Sequence, residues 1–185
     1  MPDRKESVDR CIKISKNQPS RRTQHSRSRS AQRRRTTLRT YWHLRSRGIE
    51  QWDEVYPDHN TIERDVRTST TFLASNARET VGAIVLNDHQ DPEYAEVPWQ
   101  FMTGRVAVIH RIMIRPTMEG KGRMLMHFAE ERALTSGCRS IRLDAFTENP
   151  RALRLYERLR YRHAGQVRFR KGYFRCFEKE LGGAG

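Results

Sequence analysis

Apolar and polar positions along this 185-residue chain change rhythm several times. Alternation over 11–15 (Cys-Ile-Lys-Ile-Ser) suits one short strand. Thr71–Ser75 and Thr80–Asn87 are rich in β-formers, and the Asn76-Ala77-Arg78-Glu79 between them predicts a hairpin. The run 105–115 is β-branched with apolar residues at both parities, as in a central strand covered on both faces. Over 121–136 Met124, Leu125, Phe128, Ala129 and Ala133 recur at helical spacing, and Gly137 is a natural stop. Residues 139–146 read as another strand. Pro150 then opens a helix with Asn149 as its N-cap and Ala152, Leu155, Tyr156 and Leu159 on its apolar face. Segments 161–169 and 173–181 predict two closing strands, and no internal repeat is visible.

The length suits one domain with a real core. The apolar fraction of 36% is low, and the shortfall is local. Residues 1–48 hold 15 Lys/Arg against 3 Asp/Glu, and residues 49–185 hold 21 against 19. The formal charge of +14 therefore belongs mostly to the N-terminal quarter. Three parts follow: a basic head over 1–47, a body over 48–181 and a short tail over 182–185. The head runs from Ser20 through Arg27, Arg29, Arg33, Arg34 and Arg35 with almost nothing to bury, so disorder is its physical expectation. Nonspecific contact with nucleic acid is what such a head suggests, whereas the body is close to neutral.

Cys11, Cys138 and Cys176 lie far apart, which argues against a disulfide scaffold and against a zinc site. No run reaches the roughly 18 apolar residues of a membrane span, and no signal-peptide core stands near Met1. A cytoplasmic protein with no bound metal and no membrane contact is expected.

Two segments carry chemistry. In the first, a strand ending in Ile112, Met113 and Ile114 passes through Pro116, Glu119, Gly120, Lys121 and Gly122 into a helix that begins Arg123-Met124. A helix N-terminus presents unpaired N–H groups and partial positive charge, which suits a phosphorylated ligand. The same Gly-x-Gly turn also serves geometry alone. It is neither a P-loop nor a dinucleotide fingerprint, because the required spacings are missing. In the second segment, Asn149 and Tyr156 lie seven residues apart, about two helical turns, and so share a face. A tyrosine at such spacing is also an ordinary core residue.

Taken together, strand, glycine turn, helix, strand and an Asn/Tyr helix resemble the GNAT superfamily of N-acetyltransferases. The resemblance runs over 48–181, nearly three-quarters of the chain. It takes in Gly48-Ile49-Glu50-Gln51-Trp52 with Tyr56-Pro57, the Val81–Asn87 segment, and Cys176-Phe177-Glu178-Lys179, which looks like the closing strand of a bacterial subgroup. It implies an α/β acyl-CoA N-acyltransferase fold, a central mixed and splayed sheet flanked by helices. It implies acetyl-CoA as cosubstrate and a primary amine as acceptor, in a monomer or homodimer. Backbone groups of Ile112, Met113 and Ile114 would pair with the pantetheine arm. The amides of Glu119, Gly120, Lys121, Gly122, Arg123 and Met124 would surround the pyrophosphate. Asn149 would bond the cofactor arm, and Tyr156 would protonate the departing thiolate.

Direct attack by an amine also needs a base. His110, Glu96, Asp144 and Glu148 are candidates, and His110 stands on the central strand close to the expected site. A histidine on a strand is also an ordinary core or edge residue, so the choice stays open here. Four positions or segments depart from the family pattern. Glu119 is an acid beside a pyrophosphate site. Met124 is large where close approach favours a small residue. Arg160 stands where a glycine usually follows the tyrosine helix. Residues 20–47 offer no apolar helix face before Leu38, Tyr41, Trp42 and Leu44, as a replaced or frameshifted helix would. The competing readings are a catalytically weak scaffold whose arginine-rich head binds RNA or ribosomes, and an inactive relic of the family.

Overall fold

The computed structural model of the protein describes residues 12–16, 59–68, 70–77, 80–114 and 120–182. Cys11, the arginine-rich stretch, Trp52, Tyr56-Pro57, Glu119 and the last three residues lie outside the described residues. In chain order the described elements are β1 (Lys13–Lys16), α1 (His59–Arg67), β2 (Thr71–Ser75), β3 (Thr80–Asn87), a 3-10 turn (Pro92–Glu96), β4 (Arg105–Ile114), α2 (Gly122–Thr135), β5 (Cys138–Phe146), α3 (Pro150–Arg158), β6 (Arg162–Phe169) and β7 (Gly172–Glu180). The seven strands form one mixed sheet in the order β1-β2-β3-β4-β5-β7-β6. No described helix is long and apolar enough to cross a membrane.

Two compact units share β3 and β4: residues 1–85 with 111–121, and residues 86–110 with 122–185. In the first, β1 pairs antiparallel with β2 from Lys13↔Ser75 to Lys16↔Phe72. β2 pairs antiparallel with β3, with a register shift at Ala74/Ser75. Phe72, Ala74, Val81, Ala83, Ile84, Val85 and Met113 supply the apolar interior. Across it, Asp65 of α1 meets Arg111 of β4 in a buried ion pair. Removing either partner would strand a buried charge, the costly way to break such a pair. The apolar rhythm does not announce α1, because in nine residues only Ile62 and Val66 mark its period.

In the second unit β4 runs parallel to β5, from Arg105↔Cys138 to Ile109↔Leu143. A parallel neighbour requires a crossover, and α2 supplies it. Its helical stripe buries Leu125, Ala129 and Ala133 as the spacing predicts; Met126 is buried too, and Met124 and Phe128 are only half-buried. β5 pairs antiparallel with β7 from Ser140↔Glu180 to Phe146↔Phe174, and β7 pairs with β6 at the sheet's edge.

α3 begins and ends by side-chain and backbone rules that can be followed atom by atom. Asn149 Oδ1 accepts the Ala152 N–H at 3.1 Å, and Pro150 takes the first helical position. At the other end Tyr161 N–H reaches the Tyr156 carbonyl at 3.0 Å and Arg160 N–H reaches that of Glu157 at 2.9 Å. These are the two bonds of a Schellman motif. The accompanying side-chain contact is present as well, with the Tyr156 and Tyr161 rings 6.0 Å apart. The motif requires a left-handed residue, and Arg160 adopts φ 60°. A residue with a Cβ pays roughly 1–2 kcal/mol for that conformation, partly offset by glycine's greater freedom in the unfolded chain. Arg160 is exposed, so Arg160→Gly is expected to stabilise the protein by about 1 kcal/mol. Urea denaturation checks this; an unchanged or lower midpoint would contradict the strain.

Candidate functional site

The glycine turn comes first along the chain. Gly120 has φ +87°, and α2 starts two residues later at Gly122. A Cβ on Gly122 would stand 3.0 Å from Leu155 Cδ2 of α3, the far end of a side chain that would have to give by a few tenths of an ångström. The first turn of α2 nevertheless offers backbone N–H groups without helical partners, at the positive end of the helix dipole. Arg123 is exposed, Lys121 and Met124 are half-buried, and no acid stands among 120–124. Glu119 lies outside the described residues. Upstream, Met113 is buried while Ile112 and Ile114 are half-buried, the alternation of a strand.

The second feature is where the β4–β5 ladder ends. Its last pair is Ile109↔Leu143, so His110 and Asp144 are the next residues on the two strands. His110 Nε2 lies 2.9 Å from Asn87 Oδ1, and its Nδ1 lies 3.9 Å from Asp91 Oδ2. Asp144 Oδ2 accepts the Tyr94 hydroxyl at 2.7 Å. Tyr156 is 4% exposed, its ring against Tyr161 and Phe177. Burial, and after it the charge of Asp144, push the Tyr156 hydroxyl well above its ordinary value. The same two causes push the Cys176 thiol up to about 12 and raise Tyr94 as well. The field of the Asp144 carboxylate therefore reaches all three. Glu96 is exposed at the end of the 3-10 turn and Glu148 is exposed in the turn before α3. Asn149 spends its Oδ1 on the α3 cap.

Sequence reasoning missed what fixes the segment from Asn87 to Gly104. Glu178 of β7 is fully buried, and its carboxylate accepts the N–H groups of Gln100 at 2.8 Å and Phe101 at 3.2 Å, and Arg162 Nη1 at 2.7 Å. Arg142 of β5 donates to Gln90 Oε1 at 2.5 Å and to the Phe101 carbonyl at 3.0 Å. Its guanidinium lies over the Trp99 ring, 4.3 Å from the centroid. Trp99 Nε1 donates to the Tyr94 carbonyl at 2.9 Å. Tyr94, Val97 and Trp99 join Val108, Ala164, Val167, Phe174 and Cys176 in one apolar cluster. At Gly165 a Cβ would stand 3.2 Å from Val97 and Pro98, tight enough that these side chains would have to give way slightly. The signal in the sequence was a charged residue inside each of two predicted strands, Arg142 and Glu178.

The body's charge is also less even than its total. Residues 158–177 carry seven Lys/Arg and no Asp/Glu. Arg168 and Arg175 are exposed, and so is Tyr173, which pairs with Arg168 across the β6–β7 hairpin. Among the described residues no three His, Cys, Asp or Glu side chains are grouped to hold a metal ion.

Comparisons with known proteins agree with this architecture. The sequence matches the model of the acetyltransferase (GNAT) family over residues 37–161. An acetyltransferase of the GNAT family from Listeria monocytogenes superposes with a TM-score of 0.64 at 19% identity, covering 92% of this chain and 95% of that one. Ard1 from Thermoplasma volcanium gives 0.62 at 14% identity, over 92% of this chain and 98% of its own. A Salmonella typhimurium protein whose structure holds acetyl-CoA gives 0.60 at 13%, over 94% and 96%. At these identities the likeness is one of fold. No curated protein matches the chain.

The role given to Glu178 has a direct consequence. Glu178→Ala would leave two backbone N–H groups and two arginines without their acceptor or counter-charge. A loss of about 3–5 kcal/mol is expected, with hydrogen exchange accelerating over residues 88–104 before it does in β2 and β3. A loss under 1 kcal/mol, or exchange rising equally everywhere, would contradict that role.

Proposed function

The chain belongs to the GNAT acetyltransferase family, and on that premise we propose that it moves an acetyl group from acetyl-CoA to a primary amine, with Tyr156 as acid and His110 as base. The observation that supports this reading is the buried Tyr156, whose hydroxyl is raised above its ordinary value by burial and then by the charge of Asp144, in the same unit as His110.

Acetyl-CoA, when bound, supplies a thioester whose C–S bond breaks as the C–N bond to the amine forms. The residues present suit such a group. The first turn of α2, from Gly122 to Met124, offers N–H donors to a pyrophosphate, with Lys121 and Arg123 adding charge. Asn149, the N-cap of α3, serves the cofactor arm.

Two protons must move. One leaves the attacking amine, which as an ammonium holds it with a pKa near 10. His110 accepts it, imidazole being the side chain whose unperturbed pKa lies nearest neutrality. The other leaves the nitrogen as the C–N bond forms and, by way of solvent, restores Tyr156 after that residue has given its own proton to the departing sulfur. Tyr156 keeps its proton at any ordinary pH because burial and Asp144 both disfavour the phenolate. Proton transfer from so weak an acid is driven by the sulfur's own desolvation, since a thiolate held in the same environment is disfavoured too. Glu96 and Glu148 are exposed, and Asp144 is engaged with Tyr94. The contacts of His110 with Asn87 and Asp91 support its assignment as the base.

Thiol release from acetyl-CoA, measured against polyamines, aminoglycosides and peptide amines, tests the proposal. With an accepted amine, Tyr156→Phe is expected to lower kcat roughly a hundredfold while leaving acetyl-CoA affinity unchanged. Wild-type kcat in that variant would remove Tyr156 from the chemistry and return it to the core.

A further inference from the structure

The surroundings of His110 specify which ring nitrogen works, and this inference rests on the reading of His110 as the base. Asn87 Oδ1 lies 2.8 Å from the backbone N–H of His89 and 2.9 Å from His110 Nε2. A backbone N–H can only donate, so the atom it meets must be the amide oxygen of Asn87 and not its nitrogen. That oxygen can only accept. His110 Nε2 must therefore carry a hydrogen, and in the neutral ring the lone pair belongs to Nδ1. Nδ1 in turn lies 3.9 Å from Asp91 Oδ2. The His110 side chain is 11% exposed and that of Asp91 is 38% exposed, so the Asp91 side is the open one.

We propose that Asn87 and Asp91 are positioning residues for this base: Asn87 fixes the Nε2–H tautomer, which makes Nδ1 the proton-accepting atom, and Asp91 stabilises the imidazolium once the proton has arrived. The N–H bond of the attacking amine breaks, its proton bonds to Nδ1, and the imidazolium later releases it to solvent on the Asp91 side. Two further titratable groups lie near the ring. The His89 ring stacks on His110 with centroids 6.3 Å apart. Asp88 faces Arg105 at 3.6 Å, which offsets its charge. The arrangement is a hairpin property: Asn87 ends β3, Asp91 follows four residues on, and β4 brings His110 back beside them.

Full-length protein labelled with 15N-histidine tests this by ring nitrogen–hydrogen correlation spectra over about pH 5 to 9, with His110→Gln identifying the signal. The expected result is the Nε2–H tautomer for neutral His110 in the wild type. Asn87→Ala should convert it to a mixture of tautomers. Asp91→Asn should move its titration midpoint to lower pH, because the imidazolium loses its counter-charge. With an accepted amine, the acid limb of kcat/KM should move to lower pH in Asp91→Asn as well. An Nδ1–H tautomer in the wild type, or a midpoint unmoved in Asp91→Asn, would overturn the proposal. Should Asn87→Ala fail to fold, those two measurements still decide it. A wild-type rate and pH profile in His110→Gln would instead remove His110 as the base while leaving the tautomer result standing.

Discussion

A carboxylate buried without partners costs several kcal/mol, and that constraint organises the half of this protein that holds its candidate chemistry. Glu178 sits inside β7 with no exposed surface. It is tolerated because two backbone N–H groups and Arg162 converge on it. Those N–H groups belong to Gln100 and Phe101, so satisfying the charge also ties down the chain between β3 and β4. Arg142 works in the same sense from β5, holding Gln90 and the Phe101 carbonyl. Each such bond to a charged group is worth about 1.5–3 kcal/mol. A connection of this length would otherwise be the most mobile part of the hairpin.

Fixing that connection places three groups beside the end of the β4–β5 ladder. Tyr94 reaches Asp144, and Asn87 and Asp91 flank His110. From the other side, α3 delivers Tyr156 with its ring clamped by a Schellman turn. Burial, and after it the charge of Asp144, raises both Tyr156 and Tyr94 above the ordinary tyrosine value. Electrostatics and backbone rules thus converge on a small group of residues drawn from β3, β4, β5 and α3.

Much of the frame was legible in the sequence. Thr71–Ser75 and Thr80–Asn87 are strands with the expected bounds, and Asn149 caps α3 as its position before Pro150 predicts. These features are local, so a window of residues suffices. Arg160 was legible as a departure, and its left-handed φ gives the departure a physical content. Other features were hidden for physical reasons. α1 carries too few apolar residues to show a period. Glu178 and Gln100 are 78 positions apart, so no local pattern connects them. The sequence put His110 among four possible bases, and no local pattern could show that Asn87 and Asp91 lie against its ring. A nearly neutral body concealed the basic run 158–177, because its charge is compensated elsewhere in the chain.

The central claim is that these residues serve an acetyl donor, and direct titration tests it. Calorimetry of nuclease-treated, folded protein with acetyl-CoA should give one site of micromolar affinity, with Gly122→Val abolishing the heat and Tyr156→Phe leaving it intact. No detectable binding by a protein shown to be folded would contradict the account and leave the fold without its chemistry.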